Sequence, residues 1–166
     1  RLETLFDLKK KGSLIGIDLQ GFIRTRNSKN VLINSPWEEK EEALGLTHYL
    51  KADGVEAEFL TGESDLVSAA KILRSYGPKE VIITHKDGVL VYADNQIFEE
   101  PFKLEKIIGR SGRGDTCGAS YVYMRLTLGP SESTKWAAAA TSLKMESDTP
   151  LKRTRQETED LVNEYK

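Results

Sequence analysis

Between residues 109 and 119 the chain reads Gly-Arg-Ser-Gly-Arg-Gly-Asp-Thr-Cys-Gly-Ala, and the segment from Thr116 to Leu128 that follows contains no proline. Gly112 and Gly114 can turn without a Cβ in the way, so successive N–H groups can converge on one anion. A helix starting there adds its N-terminal amides and partial positive charge to the same point. The stretch therefore predicts a loop-to-helix junction suited to phosphate, with Asp115 at its mouth. A carboxylate beside phosphate is unfavourable unless it has a task, and taking a proton from an attacking hydroxyl is one. The same residues also fit a surface loop in which Asp115 caps the helix. Arg113-Gly114-Asp115 is in addition an adhesion-type tripeptide, a reading that requires a protruding, exposed loop.

Hydrophobic runs and turn signals alternate along the rest of the chain. Leu2, Leu5, Phe6 and Leu8 have helical spacing before Lys9-Lys10-Lys11-Gly12. Ser13 to Leu19 reads as a buried strand ending at Asp18, where a turn-forming role is the plainer assignment. Arg24 to Asn34 is a loop or weak strand pair. Pro36 to Leu46 starts a helix, with Glu38, Glu39, Glu41 and Glu42 favouring its N-terminal end; the helical spacing runs to about Leu50, and Ala52 to Val55 reads as a strand edge. Ser64 or Asp65 caps a helix carrying Leu66, Ala69, Ala70 and Leu73, ended by Gly77 and Pro78. Glu80–Thr84 and Val89–Tyr92 form a hairpin through residues 85–88, and Ile97 to Phe102 is a third strand. After Gly129-Pro130 a further helix has an apolar stripe of Trp136, Ala137, Ala140, Leu143 and Lys144, and Glu157 to Tyr165 forms a terminal helix.

Asp53 and Glu56 are three residues apart, so a helix beginning between them lets both carboxylates face one point. Such hard oxygen ligands suit Mg²⁺, directly or through its waters; a capping box fits the same spacing.

A chain of 166 residues has room for one domain with a substantial core. With 24 basic and 26 acidic residues the net charge is −2, and no basic excess points to a nucleic-acid partner. Cys117 is the only cysteine, which excludes an internal disulfide and favours a reducing, cytoplasmic setting. No apolar run has membrane-spanning length, and no signal peptide is expected. The chain begins with Arg1 and not Met, which suggests a piece of a longer product.

Taken in order, Asp18-Leu-Gln-Gly-Phe-Ile-Arg24, Glu56-Ala-Glu-Phe-Leu-Thr-Gly62, the strand-turn-strand around Thr84 and Gly88, and Ser111-Gly-Arg-Gly-Asp-Thr-Cys-Gly-Ala119 resemble the C-terminal part of the ribokinase-like (PfkB-type) carbohydrate kinases. The last segment is similar to that family's Gly-Ala-Gly-Asp signature. The resemblance covers nearly the whole chain. It implies an α/β fold with a mostly parallel sheet, helices on both faces and a short antiparallel segment, without the N-terminal half and lid. It also implies ATP-dependent phosphoryl transfer to a hydroxyl of a sugar, polyol or nucleoside.

Position by position, the resemblance makes Asp115 the base. The backbone amides of Gly112, Arg113, Gly114 and Asp115 become the anion hole for the γ-phosphoryl group. Glu56, with Asp53 where the family often has Asn, would hold Mg²⁺ through water, and Thr84 and Gly88 would lie along the nucleotide. The implied partner is a small-molecule acceptor, with homodimer formation open through the missing sheet edge.

The chain departs from the family's pattern at several places. Arg113 stands where Ala is usual and is read as stabilising developing charge; an Arg113→Ala variant with unchanged kcat would exclude that. Gly109-Arg110 replaces the Asp-Thr associated with a monovalent-cation site, which counts against potassium activation. The Thr84 turn is one residue shorter than the common form, and Lys86 sits near the expected glycine. The rival from another class is a non-catalytic nucleotide- or sugar-sensing module on the same fold.

Overall fold

The computed structural model of the chain describes residues 2–165. Its main sheet has five strands in the order β1-β4-β5-β6-β7. These are β1 (Gly16–Asp18), β4 (Tyr49–Asp53), β5 (Glu80–Thr84), β6 (Gly88–Ala93) and β7 (Gln96–Pro101). β1 runs parallel to β4, with Ile17 opposite Leu50. β4 reaches its neighbour β5 through a helical crossover, the connection parallel strands need. β5, β6 and β7 then follow as a meander of short turns, Asp94 and Asn95 both taking positive φ between β6 and β7. All five residues of β5 are buried, whereas β7 at the edge has only exposed and half-buried positions.

The chain divides into two compact units, one running to Ile83 and taking in Tyr92–Gln96, the other comprising Thr84–Val91 and the chain from Ile97 onward. Neither is a continuous stretch, so no linker composition marks them and the sequence reads as one domain.

In the first unit, α1 (Leu2–Lys10) ends on Lys9 and Lys10 and turns out through Gly12 at φ 71°. β1 leads through the short α2 (Gln20–Ile23) to an antiparallel ribbon of β2 (Arg24–Arg26) and β3 (Leu32–Asn34), the weak strand pair expected from sequence. α3 (Lys40–Gly45) is shorter than its apolar spacing suggests. Beyond Gly45 the N–H groups of His48 and Tyr49 both donate to Ile15, which draws the chain into β4. β4 is thus an interior strand with Leu50, Lys51 and Ala52 buried, not the edge placed at Ala52 to Val55. Leu50 satisfies helical spacing and strand burial alike, and only pairing with β1 decides between them. α4 (Gly54–Thr61) follows, and Asp65 caps α5 (Leu66–Ser75) by accepting from Ser68 N–H at 2.8 Å. At Gly77, φ is 130° and a Cβ would lie 2.5 Å from Gly45 Cα, so two glycines let the ends of α3 and α5 meet.

In the second unit, α6 (Arg113–Met124) packs on α7 (Pro130–Met145), and α7 on α8 (Arg155–Val162). The apolar stripe expected on α7 proves too narrow: Ser133, Thr134, Ala137–Ala140, Thr141, Ser142 and Met145 are all buried. Small side chains allow this, and the hydroxyls of Thr134, Thr141 and Ser142 bond back to carbonyls one turn earlier. Before α6 the chain is pinned to the end of α7, with Ile108 and Gly109 N–H both donating to Met145. A Cβ on Gly109 would lie 2.9 Å from Asp148 Cα. Among the described residues no helix is long and apolar enough to cross a membrane.

Candidate active site

In the second unit the glycine stretch forms the predicted junction. Gly112 is the residue before α6, at φ 75° and ψ 8°, and Arg113, Gly114 and Asp115 are its first turn. A left-handed residue followed by right-handed ones turns successive amides toward one side, the geometry of an anion nest. Among the described residues no backbone carbonyl accepts from the N–H groups of Gly112, Gly114 or Asp115. Arg113 differs from the expectation, since its N–H donates to Arg110 at 3.1 Å. The anion site expected of four amides therefore has three to offer.

Asp115 does not cap the helix. The capping position belongs to Gly112, no side chain caps α6, and Asp115 stands two residues into it, exposed. Among the described residues no hydrogen bond or ion pair engages its carboxylate. Its position costs nothing electrostatically, because a carboxylate in the first turn complements the helix dipole. The adhesion reading loses its basis here: Arg113-Gly114-Asp115 is helical, and Arg113 and Gly114 are half-buried.

Thr84 and Gly88 bracket the β5–β6 turn. Thr84 is fully buried. At Gly88 a Cβ would run into the Glu100 carbonyl oxygen and lie 3.0 Å from Pro101 Cα, so glycine is required there by the close approach of β7. Both positions have packing roles of their own, beside the place along the nucleotide that the resemblance implies for them. The exposed side chains at this turn are Lys86 and Asp87.

In the first unit, Asp53 and Glu56 do form a capping box. Asp53 accepts from Glu56 N–H and Glu56 Oε2 accepts from Asp53 N–H, each at 2.8 Å. The box engages only half of Glu56, whose side chain is 1% exposed; Oε1 is buried without a hydrogen-bond partner among the described residues. Arg24, from β2, stands 3.2 Å from that oxygen and 3.6 Å from Asp53 Oδ2. Burial pushes the Glu56 carboxyl above the usual glutamate range; the Asp53 N–H bond opposes this, the charge of Asp53 adds to it, and Lys51 and Asp18 contribute smaller effects of opposite sign. Asp18 itself accepts from Gln20 N–H and pairs with Lys51 at 3.1 Å, the turn-forming role expected of it.

A buried carboxylate oxygen lacking a hydrogen bond fits a hard cation or one of its waters. Among the described residues no group of three or more His, Cys, Asp and Glu could hold a metal. A Mg²⁺ here would therefore use the Asp53–Glu56 pair through water and take its remaining ligands from water and phosphate, the usual manner of that ion.

Sequence reasoning missed two residues. Arg24 was visible only as the last residue of the Asp18–Arg24 motif. Lys144 was counted in an apolar stripe, although a lysine at a helical core position is itself a signal.

The order of strands and helices, with an anion nest and a free acid opening α6, defines an α/β fold of the ribokinase class. A variant of a pyrophosphate-dependent myo-inositol-1 kinase, converted into a myo-inositol-3 kinase, superimposes with a TM-score of 0.88 over 99% of this chain, at 35% identity. A pyrophosphate-dependent kinase in the ribokinase family, complexed with a pyrophosphate analog and myo-inositol, gives 0.87 over 96%, at 36% identity. Ribokinase of Arabidopsis thaliana, complexed with ribose and ATP, shares the fold at 19% identity, with a TM-score of 0.79 over 97% of this chain. The pattern of the pfkB family of carbohydrate kinases matches residues 20–150, and the chain belongs to that family.

A cytidine kinase of Thermococcus kodakarensis is 39% identical over 72 residues, 40% of this chain and 25% of that protein. The chain spans 59%, 58% and 51% of the three solved structures.

Proposed function

We propose that the complete protein transfers the terminal phosphoryl group of a polyphosphate donor to a hydroxyl of a sugar, polyol or nucleoside. The observation that carries this reading is the first turn of α6, where an unengaged carboxylate and three unengaged amides share one helix start. Asp115 takes the proton of the acceptor hydroxyl as its oxygen attacks phosphorus. The amides of Gly112, Gly114 and Asp115 receive the transferring oxygens, and Arg113 adds positive charge beside them. Phosphoryl transfer depends mainly on positioning and charge stabilisation, and donors held in place by a helix start supply both without reorganising. Mg²⁺, when bound, supplies neutralisation of phosphate charge; Asp53 and Glu56 are the residues that would hold its waters.

ATP is the donor implied by the family resemblance. Pyrophosphate is a second reading, favoured by the charge around the nest: among the described residues, Arg110, Arg113 and Lys144 have no carboxylate partner. Two similar structures are of pyrophosphate-dependent kinases.

The test incubates the complete gene product and Mg²⁺ with ATP or pyrophosphate and a panel of acceptors: ribose, fructose phosphate, myo-inositol, and nucleosides including cytidine. Phosphorylated acceptor is the expected product. Donor and acceptor binding without any transfer would favour a sensing module instead.

A further inference from the structure

Lys144, in the last turn of α7, is 3% exposed, yet among the described residues it has no ion pair. Its Nζ donates one hydrogen bond, 3.0 Å long, to the carbonyl oxygen of Ser147. An ammonium has three N–H donors, and burying one with a single neutral acceptor is costly unless an anion completes its surroundings. The C-terminal end of α7 favours a cation at this place but supplies no full negative charge.

The side chain also leads to the nest. A Cβ built on Gly112 would lie 3.6 Å from Lys144 Cε and 4.0 Å from Asp115 Oδ2. A side chain at position 112 would therefore stand between the lysine and the junction. Its absence leaves the lysine stem, the left-handed turn and the acid around one small space. A buried cation short of a counter-charge and three amides short of acceptors are independent observations, and both call for the same ligand.

We infer that Lys144 binds the terminal phosphate of the donor, as a full positive charge beside the amide nest. This rests on the phosphotransfer reading above and adds a donor-binding residue to it. The ligand chemistry is a terminal phosphate, from either a nucleoside triphosphate or pyrophosphate.

Lys144→Met keeps the length and bulk of the side chain and removes the charge; Lys144→Arg keeps the charge. In the complete gene product, calorimetric titration with methylene-bridged analogues of ATP and of pyrophosphate measures donor affinity directly. Steady-state kinetics then separates the donor KM from the acceptor KM, and thermal midpoints without donor report folding.

K144M is expected to weaken the analogue that wild type binds by about 10- to 100-fold, the range for losing a charge-assisted hydrogen bond, with the acceptor KM unchanged. K144R should stay within about fivefold of wild type. A K144M that melts earlier but binds the analogue as wild type does would overturn the inference, because the lysine would then serve only Ser147. Should K144M not fold, K144R decides: retained affinity supports the charge role and lost affinity overturns it. A wild type that binds neither analogue and transfers nothing would instead refute the phosphotransfer reading. The analogue that wild type binds identifies the donor class.

Discussion

Asp115→Asn is expected to lower kcat by about 10³-fold or more, at the upper end of what a positioned general base contributes. Asn has the same shape but cannot accept the acceptor's proton as a base. No structural bond is lost, since the carboxylate is exposed and unengaged among the described residues. The thermal midpoint should therefore move little, as for other exposed substitutions. Donor affinity should hold or improve slightly, because a negative charge leaves the neighbourhood of the phosphates. Single-turnover rates with the preferred donor and acceptor, together with calorimetric donor binding, make the comparison. A variant keeping kcat within tenfold would mean that the base lies elsewhere.

Glu56→Gln carries the second large effect, with opposite consequences for activity and for pH-dependent stability. Gln can still accept the N–H of Asp53, so the capping box survives. What disappears is the charge on a carboxylate whose Oε1 is buried without a hydrogen bond. Loss of an oriented anionic group next to a metal site typically costs 10- to 100-fold, and transfer at fixed Mg²⁺ is expected to fall by about 100-fold.

Because burial raises this carboxyl above the usual value of 4.5, the folded chain holds the proton to higher pH than the unfolded chain does. As pH rises from that value through the folded one, the unfolded state binds fewer protons, and this group's contribution to stability falls. The variant has no such loss. Denaturant midpoints measured from pH 4 upward should show a component of decline in wild type that is absent in E56Q, and E56Q should be no less stable at pH 7. Equal pH profiles would show that Arg24, 3.2 Å away, compensates the charge in the folded state. Unchanged transfer at limiting Mg²⁺ would remove the pair from the reaction.

The readings that succeeded from sequence are those whose causes lie within a few residues. Asp65 caps α5, Gly12 takes positive φ at the end of α1, and the 85–88 and 94–95 turns form the meander. Asp53 and Glu56 meet because a helix start brings positions three apart together. Failures occurred where two local structures satisfy one apolar spacing. Residues 49 and 50 fit a helix as well as a strand, and the acceptor that draws the chain into β4 is Ile15, more than thirty positions away. The burial of Thr84 and the nearness of β7 to Gly88 are likewise invisible along the chain.

By itself, then, the sequence determined the alternation of strands and helices, the glycine turn opening α6, the acid beside it and the family to which the chain belongs. Local backbone freedom, helix capping and hydrophobic spacing act over a few residues and leave marks in the residue order. Only the tertiary structure decided that Arg24 faces the buried half of Glu56 and that Lys144 reaches Gly112. Each of these depends on where a side chain or carbonyl arrives after packing. A buried carboxylate oxygen without a hydrogen bond at Glu56 and a buried ammonium without an ion pair at Lys144, both among the described residues, are properties of the folded interior alone.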